Sequence, residues 1–265
     1  SPAETIKATA LGESYEYTQF FGITMNSLYA LFSRLYMEKY NVTSEELSQF
    51  SVLSHKHSVT CKHAQFNREF SLDSINKSAT ISSPLRMLNC SPIGDGSASL
   101  VLSKINNSNF DDVNILSSTS SNSSTSFFSR EDLLKFYSTT SCLNKSLAES
   151  KIKLEDIDLL EIHDVVPAIT ANILETMGFS KPGNASSDVL SGRYDLNSKV
   201  TLSSSGGLKA RGNPLSATGI YQIIEVTRQL QNRSHTDLEN KNIGLCHNMS
   251  GIDSNTVVHV LGVAN

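Results

Sequence analysis

The sequence contains no tryptophan, six prolines and four cysteines in 265 residues, and charged residues make up only 18% of it. The cysteines (Cys61, Cys90, Cys142 and Cys246) never fall at a C-x-x-C spacing. That argues against a zinc-ribbon or thioredoxin-type motif and points to reduced, structural thiols in a cytoplasmic protein. No apolar run approaches the roughly 20 residues of a membrane-spanning helix. Basic residues are not in excess either. With a formal net charge of −4 the chain has little with which to hold a phosphate backbone, which argues against nucleic acid as a partner. Asn-x-Ser/Thr triplets at Asn41, Asn76, Asn122, Asn144 and Asn184 follow from an Asn- and Ser-rich composition, and no signal peptide supports their glycosylation. The first residue is Ser1 rather than Met, as in a processed or partial chain.

What is present is a chain, 38% hydrophobic, long enough for one large or two modest domains. Residues 1–75 read as irregular and helical. Thr43 with Glu46 three positions on is a capping box, and Leu47, Phe50, Val52, Leu53 and Val59 extend it into a helix of about five turns. Gly94-Asp95-Gly96 marks a turn before a strand from Ala98 to Leu102, and the serine-rich stretch 117–126 reads as a loop. Ser129 then caps a helix bearing Leu133, Leu134, Tyr137, Leu143 and Leu147. "DIDLLEIHD" reads as a buried strand, and Pro167 opens a helix that Gly178 closes. "KVTLSSS" is a further strand, Pro214 starts a helix carrying Ile220, Ile223, Ile224 and Leu230, and "NIGLCHN" and "TVVHVLGV" form a hairpin. Strands alternating with helices predict a mixed α/β sheet with helices on both faces. In such sheets chemistry collects in the loops beyond strand carboxyl ends, here 163–167, 205–214 and 247–254.

Those loops carry the candidate residues. His163 and Asp164 end a strand, where a side chain projects past the sheet, for a functional role or as a hydrogen-bonded terminus. Asn213, at the tip of "GGLKARGNP", has an amide that can donate to a carbonyl developing negative charge, but no pKa that would let it serve as a base. Asparagine also suits turns for backbone reasons alone. Lys209 and Arg211 either meet phosphates or are ordinary surface charges. Strand alternation sends Cys246 and His247 to opposite faces, so at most one of them meets the site. The His55-x-His57-x3-Cys61-x-His63 cluster places only His57 and Cys61 on one helical face, too few for a metal, while Lys56 and Lys62 suggest a solvated face. No metal is expected.

"GGLKARGNPLSATGIYQ", "EIHDVV", "LCHNMSG…TVVHVLG", "YMEKYNVTSEELSQFSVLSHKHS" and "PLRMLNCSPIGDGSASLVLS" together resemble, in collinear order, the thiolases. The sterol-carrier-type members and the archaeal acetyl-CoA acetyltransferases are the most similar branches. The resemblance implies an α/β thiolase fold layered αβαβα, with an incomplete N-terminal half. Residues 1–104 would be a helical loop subdomain plus the closing strand of that half, and 105–265 the C-terminal half. It further implies acyl-CoA acyltransfer that forms or cleaves the carbon–carbon bond of 3-ketoacyl-CoA, with coenzyme A thioesters as substrates. The family's nucleophilic cysteine would lie upstream of Ser1, in a missing segment or on another chain.

Residue by residue, His163 and His247 would orient the thioester and Asn213 would stand where the family has the histidine of its G-H-P motif. Val165 replaces the family's proton-shuttling cysteine, and Ser250 and Gly251 fall in its glycine-rich loop. Lys209, Arg211, Gly212, Ser250 and Gly251 are the expected coenzyme A contacts. Expected partners are a thiolase-type subunit in a homo- or hetero-oligomer and, by resemblance to archaeal relatives, a 3-hydroxy-3-methylglutaryl-CoA synthase and a small zinc/OB-fold protein. The substitutions at 213 and 165 leave two alternatives open: an inactive scaffold that binds acyl-CoA or proteins, and a retro-aldol enzyme of the same superfamily.

Overall fold

The computed structural model describes residues 2–104, 112–236 and 238–263. After a short first helix, α1 (Pro2–Thr9), two longer helices pack together: α2 (Met25–Tyr40) and α3 (Ser44–His57). The Thr43–Glu46 capping box forms, with both reciprocal bonds present. Helix α3 runs 14 residues, one turn short of the expected five, because Ser58 takes up the last turn's carbonyls and the chain bends away. A short helix α4 (Leu72–Lys77) and a small hairpin, β1 (Thr80–Ser82) with β2 (Leu85–Arg86), complete this part.

The strand expected at Ala98–Leu102 is not formed. Nothing among the described residues pairs with it, and Val101 stands 96% exposed. A strand half-buried in sequence pattern needs a neighbour to satisfy its backbone, and here it has none. The expected domain boundary at 104/105 falls at the edge of 105–111, which lie outside the described residues.

The second part is built on one five-stranded sheet with the order β3-β7-β6-β4-β5. Its strands are β3 (Val113–Asn122), β4 (Leu159–Glu161), β5 (Thr201–Leu202), β6 (Ile243–Ser250) and β7 (Asn255–Val263). The pairs β3/β7 and β6/β7 are antiparallel, whereas β4 runs parallel to both β5 and β6. Helices α5 (Tyr137–Ser150) and α6 (Pro167–Thr176), with α2 and α3 outside them, cover one face. The other face is covered by α9 (Thr218–Leu230). Short helices α7 (Ala185–Leu190) and α8 (Gly207–Ala210) fill connections. Leu160, Leu245, Val258 and Val260 point into the large core on the α5/α6 face, which continues without a break into α2 and α3. Leu159, Cys246 and Leu261 point to α9, against Val226 and Leu230. The two-residue period of the strands is thus read out as two separate cores.

Four further sequence expectations change. Residues 117–122 of the serine-rich stretch are not a loop: they belong to β3, a ten-residue strand that pairs with β7 along its length, and only 123–126 leave it. Its inward hydroxyls find partners, Ser117 on Ser146 Oγ and Thr119 on the Cys142 carbonyl, so burying them leaves no donor stranded. The helix expected from Ser129 begins only at Tyr137, since Ser129 closes a 3-10 turn and Asp132 caps the Leu134 N–H in a separate turn. Pro214 precedes its helix by a 3-10 turn, so that α9 starts at Thr218, and "KVTLSSS" yields only the two strand residues of β5.

Candidate active site

Three backbone segments converge past the carboxyl end of β4: the loop 162–166, the segment 90–94 and the turn 203–214. Their register is fixed by backbone bonds, from Ser91 N–H to the Val165 carbonyl, Asn213 N–H to Pro92 and Gly94 N–H to Asn213. The paired glycines explain the turn's tightness. Gly206 and Gly207 both have positive φ (93° and 57°). A Cβ on Gly206 would stand 2.6 Å from Ser58 Cβ, and one on Gly207 would run into the Asp164 carboxylate.

Asp164 is the organiser of this corner. Its Oδ1 accepts from Leu208 N–H at 2.7 Å and its Oδ2 from Lys209 Nζ at 3.1 Å. Lys209 spends its remaining donors on the Asp164 carbonyl (2.9 Å) and Thr170 Oγ1 (3.0 Å). Its side chain is fully buried, so Lys209 is neither a surface charge nor free to hold a phosphate in this arrangement. Arg211 is likewise buried. Its guanidinium stacks on Tyr221 at 5.1 Å from the ring centroid and lies 3.9 Å from Glu225, on the α9 side. The expectation that these cations face coenzyme A or solvent is corrected by their burial.

Asn213 is 7% exposed, and its amide has a definite orientation. Oδ1 accepts from Leu215 N–H (3.2 Å) and from Thr218 Oγ1 (2.9 Å), which identifies the oxygen and leaves Nδ2 facing Ser91 Oγ at 3.4 Å. Asn213 therefore holds the turn together and still has an N–H to spare. Gly212, buried at φ 122°, packs against Gln65 beside it.

His163 and His247 come within electrostatic reach of one another. Burial pushes His163 down to about 4. Burial, and then the neighbouring His163, push His247 down to about 3. Both are neutral imidazoles at physiological pH. His247 Nε2 lies 3.0 Å from Thr139 Oγ1, which in turn lies 2.6 Å from Asp253 Oδ1. The backbone at His247 is pinned from the other face, where Gln222 Nε2 donates to its carbonyl and Asn248 Nδ2 to Gln222 Oε1. Cys246 faces α9 instead, and burial raises its thiol well above the ordinary value. Ser250 is exposed at the end of β6. Gly251 next to it packs against Gly12 and Glu13, whose Oε1 accepts the Ile252 N–H at 2.8 Å.

The histidine cluster is dispersed rather than solvated. His55 and His57 are both buried. His55 sits between Phe66 and Phe70 (ring centroids 5.5 and 4.7 Å) and His57 hydrogen-bonds the Leu202 carbonyl. Cys61 lies past the end of α3, 3.5 Å from His63 Nε2, which also contacts Glu225 Oε1 at 3.2 Å. No group of three His, Cys, Asp or Glu side chains placed to hold a metal occurs among the described residues.

Sequence reasoning missed Thr139, Asp253, Ser91, Glu225 and Glu161. Asp253 and Thr139 lie 114 positions apart and only folding unites them, but the buried acid inside "EIHD" (Glu161) was a readable signal.

The family model described as "Thiolase C-terminal domain-like" matches residues 119–263. The chain is 32% identical over 257 residues to an acetyl-CoA acetyltransferase of Methanothermobacter thermautotrophicus, covering 96% of this chain and 67% of that protein. It is 30% identical over 232 residues to sterol carrier protein 2 of Bos taurus, covering 84% of this chain and 42% of that one. Among solved structures it superposes on an "Ltp2-ChsH2(DUF35) aldolase" with a TM-score of 0.81 at 20% identity, covering 94% of this chain and 66% of the other. The Bacillus anthracis acetyl-CoA acetyltransferase gives 0.60 at 14% identity, covering 91% and 60%. The chain thus spans about two thirds of the length of its archaeal relative. The sheet with its two helical faces, the order of the three loops and the match over 119–263 lead to one assignment: the chain belongs to the thiolase family.

Proposed function

We propose that the chain is the C-terminal part of an acetyl-CoA C-acetyltransferase-type thiolase, acting on the carbon–carbon bond of 3-ketoacyl-CoA with a nucleophilic cysteine from outside these 265 residues. The placing of His163 and the Asn213 turn past β4, with His247 within electrostatic reach of His163, carries the reading. The chain's own cysteines support the second clause. Burial pushes the Cys142 and Cys246 thiols up and Cys90 up to about 12, and Cys61 is buried beside His63 and its partner Glu225, on the α9 side. Neutral His163 and His247 orient the thioester, and the Asn213 amide donates to its oxygen, where an imidazole would also have taken the thiol proton. Gly212, Ser250 and Gly251 line the coenzyme A side, and Lys209 and Arg211 act on it from below by holding the turn.

The assembly that completes the site contains a thiolase-type subunit, and a 3-hydroxy-3-methylglutaryl-CoA synthase and a small zinc/OB-fold protein are the further partners. No helix of the described residues is long and apolar enough to cross a membrane, and with four free cysteines we place the assembly in the cytoplasm. A second reading, a retro-aldol cleavage, is favoured by the aldolase that superposes at a TM-score of 0.81 and by the absence of an ionisable group at 213 and 165. A scaffold that binds acyl-CoA without turnover is the third.

Acetoacetyl-CoA thiolysis separates them. The chain alone is expected to be inactive, the complete assembly active, and Asn213→His to raise the rate of the assembly. Thiolysis at an ordinary family rate by the chain alone would overturn the partner-dependent reading.

A further inference from the structure

On the α5/α6 face of β6 a hydrogen-bond chain can be read down to its protons. Asp253 is fully buried, in the turn between β6 and β7, at the amino end of the 14-residue helix α5. Its Oδ2 accepts from Ser138 N–H at 2.8 Å. Its Oδ1 accepts from Thr139 N–H at 2.9 Å, Thr139 Oγ1 at 2.6 Å and Thr256 Oγ1 at 2.9 Å. Burial raises this carboxyl, and the hydroxyls and N–H groups of Thr139, Ser138 and Thr256 pull it back. Oδ1, which already accepts three hydrogen bonds, has no lone pair left for a proton of its own.

The rest follows from counting hydrogens. Thr139 has one hydroxyl proton, and its shortest contact, to Asp253, uses it. Thr256 spends its own on the same Oδ1. The Thr139 oxygen therefore presents only lone pairs to His247 Nε2, 3.0 Å away, and Nε2 must carry the hydrogen between them. A neutral imidazole carries one N–H, so Nδ1 is bare. That atom is buried and no other residue partners it; only the His247 carbonyl itself lies near the ring, without hydrogen-bond geometry to Nδ1.

We propose that Thr139 and Asp253 are positioning residues that hold His247 as the Nε2–H tautomer, leaving Nδ1 as a hydrogen-bond acceptor for substrate beside His163. This deepens the acyltransferase reading and takes its chemical meaning from it. His247 then cannot donate to a thioester oxygen; that task falls to His163 and the spare N–H of Asn213. His247 instead accepts a hydrogen bond from a polarised substrate hydrogen, such as that of a thiol, and, pushed down to about 3, orients that group without taking its proton. Neither partner was visible as a site residue, because Thr139 sits inside a helix pattern and Asp253 inside a turn.

The test is the tautomer itself. The protein as isolated is labelled with ¹⁵N-histidine, its imidazole resonances are recorded, and His247 is assigned by loss of its signals in His247→Gln. The wild type is expected to show a protonated Nε2 and a bare Nδ1. Thr139→Ser is expected to keep that pattern, and Thr139→Val to lose it, with Nδ1–H appearing. Turnover of the complete assembly is expected to fall at least about tenfold in Thr139→Val and to recover in Thr139→Ser. A wild-type His247 protonated on Nδ1, or an unchanged tautomer in Thr139→Val, would overturn the proposal. The wild-type spectrum decides even if the valine variant fails to fold. An assembly that binds no acyl-CoA while showing the expected tautomer would sink the acyltransferase reading and leave the hydrogen-bond chain standing.

Discussion

The two faces of the sheet hold polar groups in opposite ways. On the α5/α6 face every acceptor of Asp164 and Asp253 and every donor of Lys209 is used. On the α9 face Arg211, Glu225 and Glu161 are equally buried, yet both Glu161 oxygens and all three Arg211 side-chain nitrogens lack a hydrogen-bond partner. The first arrangement fixes geometry, through directional bonds to backbone and hydroxyls. In the second, Glu225 is hydrogen-bonded by Ser205 Oγ and His63, while Arg211 and Glu161 rely on charge at a distance. Of the candidate site residues, His247 is tied into the directional network through Thr139, Asn213 has its own bonds to Leu215 and Thr218, and His163 Nδ1 is buried without a partner.

The largest effect is expected where that network is cut. Lys209→Met removes the partner of a buried carboxylate and should cost about 3–5 kcal/mol, read as a fall in the urea midpoint. A loss within about 0.5 kcal/mol would show that the α5/α6 face tolerates an unpaired Asp164.

Glu161→Gln should act in the opposite direction. Burial pushes the Glu161 carboxyl up to about 8 from an ordinary 4.5, ahead of the opposing Arg211. The native state therefore holds a proton that the unfolded chain releases, and stability falls as pH rises through that window. The amide removes the fall. The variant should match the wild type near pH 5 and exceed it at pH 9, by about 1–3 kcal/mol. An equal or lower midpoint at pH 9 would mean that Glu161 is held as a carboxylate by Arg211, as on the other face.

His63 gives a smaller effect because it is partly exposed. Contacts with Cys61 and then Glu225 raise it to about 9 from 6.5. Its contribution is complete below 6.5 and disappears as pH rises through 9. The stability difference between wild type and His63→Gln should shrink between those limits, and a constant difference would remove the ion pair from the account.

The smallest expected effect is an absence. With His163 at about 4 and His247 at about 3, the pH–rate profile of the assembly should show no histidine limb between about 5 and 8. A limb near 6.5 would place one of these rings in water.

Much of this was legible in the sequence. The capping box of α3, Pro167 opening α6, Gly178 closing it and the β6–β7 hairpin all form, because each depends on a few neighbouring residues. The loops past β4 and β5 were legible too, through strand ends, whereas of the expected loop 247–254 the first four residues continue β6 and only 251–254 turn. What misled were segments whose state depends on a distant partner. Residues 117–126 read as a loop by composition, but β7 and α5 supply the bonds that make β3 a strand. Ala98–Leu102 has the pattern of a strand and, among the described residues, no neighbour to pair with. Lys209 and Arg211 looked like surface cations because their counter-charges, Asp164 and Glu225, lie 45 and 14 positions away.

The central claim is that this corner binds an acyl-coenzyme A thioester through Asn213 and the two histidines. Titration of the protein with acetoacetyl-CoA, followed calorimetrically, tests it most directly. Saturable binding is expected, weakened about tenfold or more in Asn213→Ala, where a buried donor to the thioester oxygen is lost, and the urea midpoint, which falls as Leu215 N–H and Thr218 lose their acceptor, is measured beside it to show that the variant is folded at the titration temperature. Absence of saturable binding, or equal affinity in wild type and Asn213→Ala, would contradict it.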